Sequence, residues 1–332
     1  MKFWFVVIKL QTSWRKKIES AVNASIIQTE LIQSVWSDYG KLLRIHFDKP
    51  DQPALVVKAI QPPDQQNHPR GWQSIFAHQR KLKSYQVEAC WYELYASETR
   101  ECVAVPKPFL VHQDADGCLL VLEDLDAQYP QRMTASLRNR ACLAALEWLA
   151  QFHALHLGHS GEGLWDTGCY WHLDTRPDEW SAMNECLLKT QATAIDRELS
   201  DCELSTLVHG DAKAANFCLS EDGQSVAAVD FQYVGRGCGI RDVAYFLGSC
   251  LNDDGLYEQS DLLLDHYFAV FRSALESSYE SSRLHSLEQR WRGLYPFAWA
   301  DFQRFMLGWA PEHVKLNDYS NEQTGIALQI IG

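Results

Sequence analysis

The chain has 332 residues, 46% of them apolar, enough for two domains or one two-lobed unit with a real core. Its formal net charge of −13 excludes a general nucleic-acid binder and requires any nucleotide site to be basic only locally. The ten cysteines lie singly between Cys90 and Cys250, with no Cys-x-x-Cys pair, so free thiols in a reducing cytoplasm are expected rather than disulfides or zinc.

No apolar run approaches the length of a membrane span. Phe3–Ile8 is apolar but is broken by Lys9 and is too short for a signal-peptide core; it reads as an extra strand or a misplaced start. Trp36-Ser37-Asp38-Tyr39-Gly40-Lys41 follows, with one glycine and no G-x-G-x-x-G pattern. Backbone N–H groups at Ser37, Tyr39 and Gly40 are candidates to meet phosphate, against the reading of an ordinary surface turn. Lys41–Phe47 is strand-like, Asp48–Pro53 is turn chemistry, and Ala54–Ile60 is a second strand.

Lys58 sits inside that second strand, on one face with Val56 and Ile60. A lysine in an apolar strand is costly unless it is paired or reaches water. It reads as a phosphate-binding lysine paired with a glutamate on the next helix, against an edge lysine that discourages aggregation. After the loop Gln61–Gly71, Ser74–Ser97 reads as a helix with Val87, Trp91, Leu94 and Tyr95 at helical spacing. Glu88, flanked by core-type positions, is the expected partner of Lys58, with Glu93 and Glu98 as alternatives. Val103–Leu110 and Cys118–Glu123 are two further strands joined around Asp116-Gly117. The apolar run Leu119–Leu122 enters the acids Glu123 and Asp124. In a kinase-like arrangement this is the hinge, where backbone groups of Glu123 and Leu125 would hydrogen-bond adenine.

Beyond Asp126 the pattern turns helical. Thr134–Leu157 is a strong helix stopped by Gly158, residues 160–180 are irregular and rich in Trp and Gly, and Trp180–Leu199 is helical. Past Asp242 the chain is nearly all helix, ending near Trp309. The expected fold is α+β: an N-terminal nucleotide-binding lobe over 1–125 with a small antiparallel sheet and one main helix, then a helical lobe over 126–332. A nucleotide cleft between the lobes follows from that arrangement.

The segment 207–233, LVHGDAKAANFCLSEDGQSVAAVDFQY, carries the chemistry. Asp211 and Asn216 have the spacing of the kinase loop H-R-D-x-x-x-x-N, and Asp230 opens an Asp-Phe-Gln triplet where a kinase has Asp-Phe-Gly. Phe217–Ser220 and Ser225–Val229 are strand candidates around an Asp-Gly turn. A hairpin folded there brings Asn216 and Asp230 side by side at its open end. An amide oxygen and a carboxylate so placed suit magnesium, which takes one or two protein oxygens beside phosphate and water. Asp211 remains free to accept a proton from an attacking hydroxyl.

Together these residues resemble the aminoglycoside phosphotransferase/choline kinase superfamily over roughly residues 30–310, closest to its ecdysteroid-kinase-like branch. The carriers are Trp36–Gly40, Lys58, Glu88 with Trp91-Tyr92, Leu122–Leu125, His209-Gly210-Asp211 through Asn216, and Asp230-Phe231-Gln232. The resemblance implies a bilobal protein-kinase-like fold and transfer of the γ-phosphate of ATP, with Mg2+, to a hydroxyl of a small molecule. It implies Asp211 as base, Asn216 and Asp230 as metal ligands, Lys58 on phosphate, Lys213 near the γ-phosphate, and Asp242 as brace of the catalytic loop. The chain lacks Ala-Pro-Glu, and only eleven residues separate Asp230 from Asp242, which argues against a peptide substrate. A nucleotide-binding pseudokinase with a regulatory or scaffold role is the alternative.

His153, His156 and His159 invite a metal reading, but Gly158 interrupts their helix; core and capping roles are expected instead. The aromatic residues of 169–174 and 291–309 invite a quaternary-ammonium cage, against plain core packing. The acceptor itself is not legible; residues 160–185 and 285–320 are where its pocket is expected.

Overall fold

Alternating burial builds the first sheet. The structure, a computed structural model, describes residues 10–35, 39–62, 75–114, 117–134, 138–202 and 204–332. Phe3–Ile8, Ser37 and most of the Gln61–Gly71 loop lie outside the described residues. The chain divides into two units, one of Met1–Arg100 with Val105–Ala127, the other of Glu101–Ala104 with Gln128–Gly332.

In the first unit, helix α1 (Thr12–Val22) precedes strands β1 (Ile26–Val35), β2 (Gly40–Phe47) and β3 (Leu55–Ile60). Then come helix α2 (Ile75–Cys90), a π turn (Trp91–Tyr95), helix α3 (Ala96–Thr99), and strands β4 (Pro108–Asp114) and β5 (Gly117–Glu123). The five strands form one antiparallel sheet in the order β1-β2-β3-β5-β4. Leu43, Ile45 and Phe47 of β2 point to one face, with Leu55, Val57 and Ala59 of β3, and pack against Trp14 and Ile18 of α1. The period-2 alternation thus sends Lys58 to the opposite face, opposite Leu42 and Leu120 in register.

Three expectations are corrected here. The Trp36–Lys41 segment does not precede the first strand; β1 lies before it, so it joins β1 to β2. The strand expected from Val103 begins at Pro108: Pro106 has no N–H to donate, and Ala104 pairs with Ala227 of the second unit instead. The helix expected through Ser97 widens into the π turn, which slips the register by one residue. Leu94 is therefore 64% exposed, while Tyr92 takes its place in the core beside the stacked rings of Trp91 and Tyr95.

The second unit opens with α4 (Arg138–Leu155), followed by α5 (Pro177–Ala182), α6 (Leu187–Thr190) and α7 (Ala192–Ser200). The single helix expected over Trp180–Leu199 is thus three short ones, because the backbone is extended at Met183 and again at Cys186. Short strands β6 (Thr206–Val208), β7 (Phe217–Leu219), β8 (Val226–Ala228) and β9 (Gly235–Gly237) form the pairs β6·β9 and β7·β8. Helices α8 (Ile240–Cys250), α9 (Asp253–Leu275), α10 (Ser281–Gly293), α11 (Tyr295–Trp309) and α12 (Asp318–Ile331) complete it. The helical region continues past Trp309 because Asn317 and Ser320 form a reciprocal capping box that starts α12. Among the described residues no helix is long and apolar enough to cross a membrane.

Candidate active site

Within the first unit, Lys58 meets the partner expected of it. Its Nζ lies 2.8 Å from Glu88 Oε1 and 2.7 Å from Oε2, with the two side chains only 10% and 2% exposed. The Cys118 thiol lies beside the pair, and burial, then the Glu88 charge, push it up to about 12. A buried ion pair is weak evidence for stability, but removing one partner is costly. Glu88→Ala is expected to lower stability by about 3 kcal/mol, read as a reduced urea midpoint at unchanged m-value. An unchanged midpoint would contradict the buried pairing.

Tyr39 is buried, with its hydroxyl on His78 Nδ1, and its carbonyl accepts from Gln61 N at 2.7 Å. Gly40 has a structural reason of its own: a Cβ there would stand 2.2 Å from the Ala59 carbonyl oxygen. At the expected hinge, Glu123 N donates to Lys107 O at 2.8 Å, and its carboxylate accepts from Arg100 Nη1 at 2.9 Å and Lys107 N at 3.0 Å. Leu125 is buried at the head of a 3-10 turn. Asp124 and Asp126 are both held by Arg44 of β2, a structural use of those acids.

The second unit assembles the 207–233 segment as a folded hairpin. Phe217 pairs with Ala228 and Leu219 with Val226, around a turn in which Gly223 takes a positive φ of 71°. Asp222 Oδ1 accepts from Ser220 Oγ at 2.8 Å and Gln224 N at 3.0 Å, which fixes the turn. Past the last strand pair, Val229 N still donates to Asn216 O at 3.0 Å, so the open end carries Asn216 and Asp230 together.

Asp211 is 4% exposed and its two oxygens differ. Oδ2 accepts from Lys213 Nζ at 2.8 Å and Asn216 Nδ2 at 3.2 Å, whereas Oδ1 is buried with no hydrogen-bond partner among the described residues. Burial raises its pKa; Lys213 pulls it back, and Asp230 raises it further. For Lys213 burial works downward, but the Asp211 and Asp230 charges leave the net shift upward. Asn216 Nδ2 also donates to the Asp211 carbonyl at 2.8 Å, leaving its amide oxygen unpartnered among the described residues. Asp230 holds a φ of 70°, a conformation non-glycine residues seldom adopt, and its Oδ1 accepts from Gln232 Nε2 at 2.6 Å. One amide oxygen and one carboxylate are hard donors that fit a magnesium ion. Among the described residues no cluster of three or more His, Cys, Asp or Glu could hold a metal alone, so nucleotide and water oxygens would complete such a site.

The backbone of this loop is anchored by Asp242, whose Oδ2 accepts from His209 N at 2.6 Å and whose Oδ1 accepts from Gly210 N at 3.0 Å. His153 lies between Asp242 Oδ2, at 3.2 Å, and the Tyr267 hydroxyl, at 2.8 Å. Burial lowers the neighbouring His156 to about 3, so it stays neutral. His209 Nε2 donates to Val229 O at 3.0 Å while Nδ1 accepts from Asp211 N, joining the Asp211 loop to the strand that delivers Asp230. Gly210 must be glycine: its φ is 76°, and a Cβ would stand 2.1 Å from the Tyr233 carbonyl oxygen.

Two residues beside Asp211 were not anticipated from sequence. Tyr245, one turn after Asp242 on α8, has its phenol pushed well above the usual range by burial and then by the Asp211 charge. Its position three residues after Asp242 was the available signal. Lys315, between α11 and α12, lies within electrostatic reach of Asp211 and Lys213 and carries no periodic signal at all.

Residues 74–285, more than half of the chain, match the phosphotransferase enzyme family. No curated protein matches the sequence. Among solved structures, an amicoumacin kinase, hAmiN, bound to AMP-PNP, Ca2+ and Ami, is 12% identical and covers 96% of this chain and 92% of its own, with a TM-score of 0.54. The choline kinase LicA from Streptococcus pneumoniae is 12% identical, covering 96% of both chains at a TM-score of 0.51. A putative fructosamine-3-kinase from Haemophilus somnus is 13% identical, covering 96% of this chain and 97% of its own at a TM-score of 0.50. At such identities the likeness is one of fold, the α+β kinase-like fold of small sheet and larger helical part.

Proposed function

Because the chain belongs to the phosphotransferase enzyme family, we propose that it transfers the γ-phosphate of ATP, with Mg2+, to a hydroxyl group of a small-molecule acceptor. The observation that carries this reading is Asp211 Oδ1, buried and unpartnered beside a cation, on a loop that also holds Asn216. In the transfer, the acceptor oxygen bonds to the γ-phosphorus and the bond from that phosphorus to the β–γ bridging oxygen breaks. The hydroxyl proton passes to Asp211 Oδ1, and ADP leaves. Asn216 and Asp230 would hold Mg2+, which when bound offsets phosphate charge. Lys213 holds Asp211 in place and offers a cation to the transferred group. Lys58, oriented by Glu88, binds the α/β-phosphates, while Glu123 and Leu125 offer backbone groups to adenine; Ser37, Tyr39 and Gly40 are the residues assigned to phosphate through their backbone N–H groups.

Within the superfamily we place the chain nearest the ecdysteroid-kinase-like small-molecule kinases, acting in the cytoplasm, where its ten free thiols would remain reduced. The reading involves neither nucleic acid nor membrane. It is tested by screening a library of hydroxylated metabolites for ADP release with MgATP. ADP release that depends on one acceptor class, with phosphate recovered on that acceptor, is the expected result. MgATP binding with no release on any acceptor would instead support a regulatory nucleotide-binding protein.

A further inference from the structure

The acceptor class follows from where the charges stand around Asp211 in the second unit. Trp171 and Tyr245 pack with Phe302, Phe305 and Met306, so the segments 169–171 and 302–306 meet in one cluster beside the catalytic loop. Aromatic faces of this kind bind cations when they are open. Here the rings of Tyr170, Tyr245, Phe302 and Phe305 each carry a cation of the chain itself. The Arg176 guanidinium lies 4.1 Å from the Tyr170 ring centroid and 5.2 Å from that of Phe305. Lys315 Nζ lies 4.7 Å from the Tyr245 centroid and 5.5 Å from that of Phe302.

Three carboxylates of the same unit are paired with arginines. Glu179 Oε1 accepts from Arg176 Nη1 at 3.0 Å, Asp301 Oδ1 from Arg304 Nη2 at 2.8 Å, and Asp196 Oδ1 from Arg241 Nη2 at 3.2 Å. In each of these three pairs the arginine offsets the carboxylate charge. Lys315 differs. Its ammonium has no carboxylate within ion-pair distance among the described residues, and it is only partly buried. Desolvation lowers its pKa to about 8, with Lys213 adding to the fall and Asp211 opposing it. An ammonium so short of counter-charge gains most from an anionic partner brought by a ligand.

We propose that the acceptor is a hydroxylated organic anion whose negative group binds Lys315 while its hydroxyl is presented to Asp211. The inference rests on the phosphotransferase reading above. It assigns Lys315 as the residue that sets acceptor charge, and it excludes choline-like and other cationic alcohols as good substrates. Tyr245 links Lys315 to Asp211: its ring centroid lies 4.7 Å from the Lys315 ammonium, and its phenol is raised by burial and then by the Asp211 charge.

The test compares kcat/KM for each acceptor found in the ADP-release screen with that for its neutral amide or ester. The para isomers of hydroxymethylbenzoate, hydroxymethylbenzamide and aminomethylbenzyl alcohol are added as defined anionic, neutral and cationic probes. Acceptors that score are expected to be anionic, preferred over their neutral counterparts by about tenfold or more. Lys315→Gln is expected to erase the preference, Lys315→Arg to retain it, and Lys315→Glu to turn it toward the cationic probe. Reading the ratio of acid to amide cancels any general loss of folded enzyme. Neutral or cationic acceptors reacting best would overturn the inference while leaving the phosphotransferase reading intact. So would a Lys315→Gln loss shared equally by acid and amide, or confined to the KM for ATP, since either places the ammonium on the nucleotide. Absence of ADP release on every compound would sink the phosphotransferase reading, and this inference with it.

Discussion

Asp211→Asn is expected to lower turnover roughly 10²–10⁴-fold while nucleotide binding survives. The substitution keeps the shape of the side chain and removes its charge. The buried Oδ1, which has no hydrogen-bond partner among the described residues, gives way to an amide group unable to take a proton. Lys213 loses the carboxylate 2.8 Å from its Nζ, yet that side chain is more than a third exposed and reaches water. Folding should therefore change little. Steady-state ADP release on the acceptor identified by screening gives the kinetic number, and titration with a fluorescent ATP analogue gives the binding. Full turnover in this variant would remove Asp211 from the role of base.

The second large effect is expected in stability. Asp242→Ala removes the acceptor of two buried backbone N–H groups, His209 N and Gly210 N, and of the ring nitrogen of His153. Each unsatisfied buried donor costs about 1–3 kcal/mol, so for three of them a loss of at least about 3 kcal/mol is expected. The denaturation midpoint of the second unit should fall accordingly, and transfer should be lost because the loop bearing Asp211 is no longer fixed. Asp242→Asn, which keeps one acceptor oxygen, should fall between wild type and Asp242→Ala. A midpoint equal to wild type for Asp242→Ala would show that the loop is held by other means.

The sequence was most legible where chemistry and local geometry coincide. The hairpin could be read because an Asp-Gly turn lies midway between two short apolar strands, and the pairing of Phe217 with Ala228 follows from it. Lys58 and Glu88 could be matched because a buried charge demands a partner and strand alternation gives its face. The misses have physical causes too. Helix α1 and strand β1 carry mixed polar surfaces, and most of β1 faces water, so neither shows a clean period. The π turn at Trp91–Tyr95 leaves no trace in helical spacing, which placed Leu94 inside. Lys315 comes from an irregular segment between two helices, and only tertiary packing brings it toward Asp211.

Residues 101–104 belong to the second unit although the chain lays them down amid the first. Ala104 O accepts from Ala228 N at 3.1 Å and from the Trp148 indole at 2.9 Å, beside the hairpin that carries Asp230. A fragment starting at residue 128 would therefore leave two donors without their acceptor and one strand of that hairpin without its neighbour. During synthesis this tetrapeptide emerges more than a hundred residues before the strand it completes, and must wait for it. The helical unit is thus not delimited by a single cut at residue 128: residues 101–104 have to travel with it.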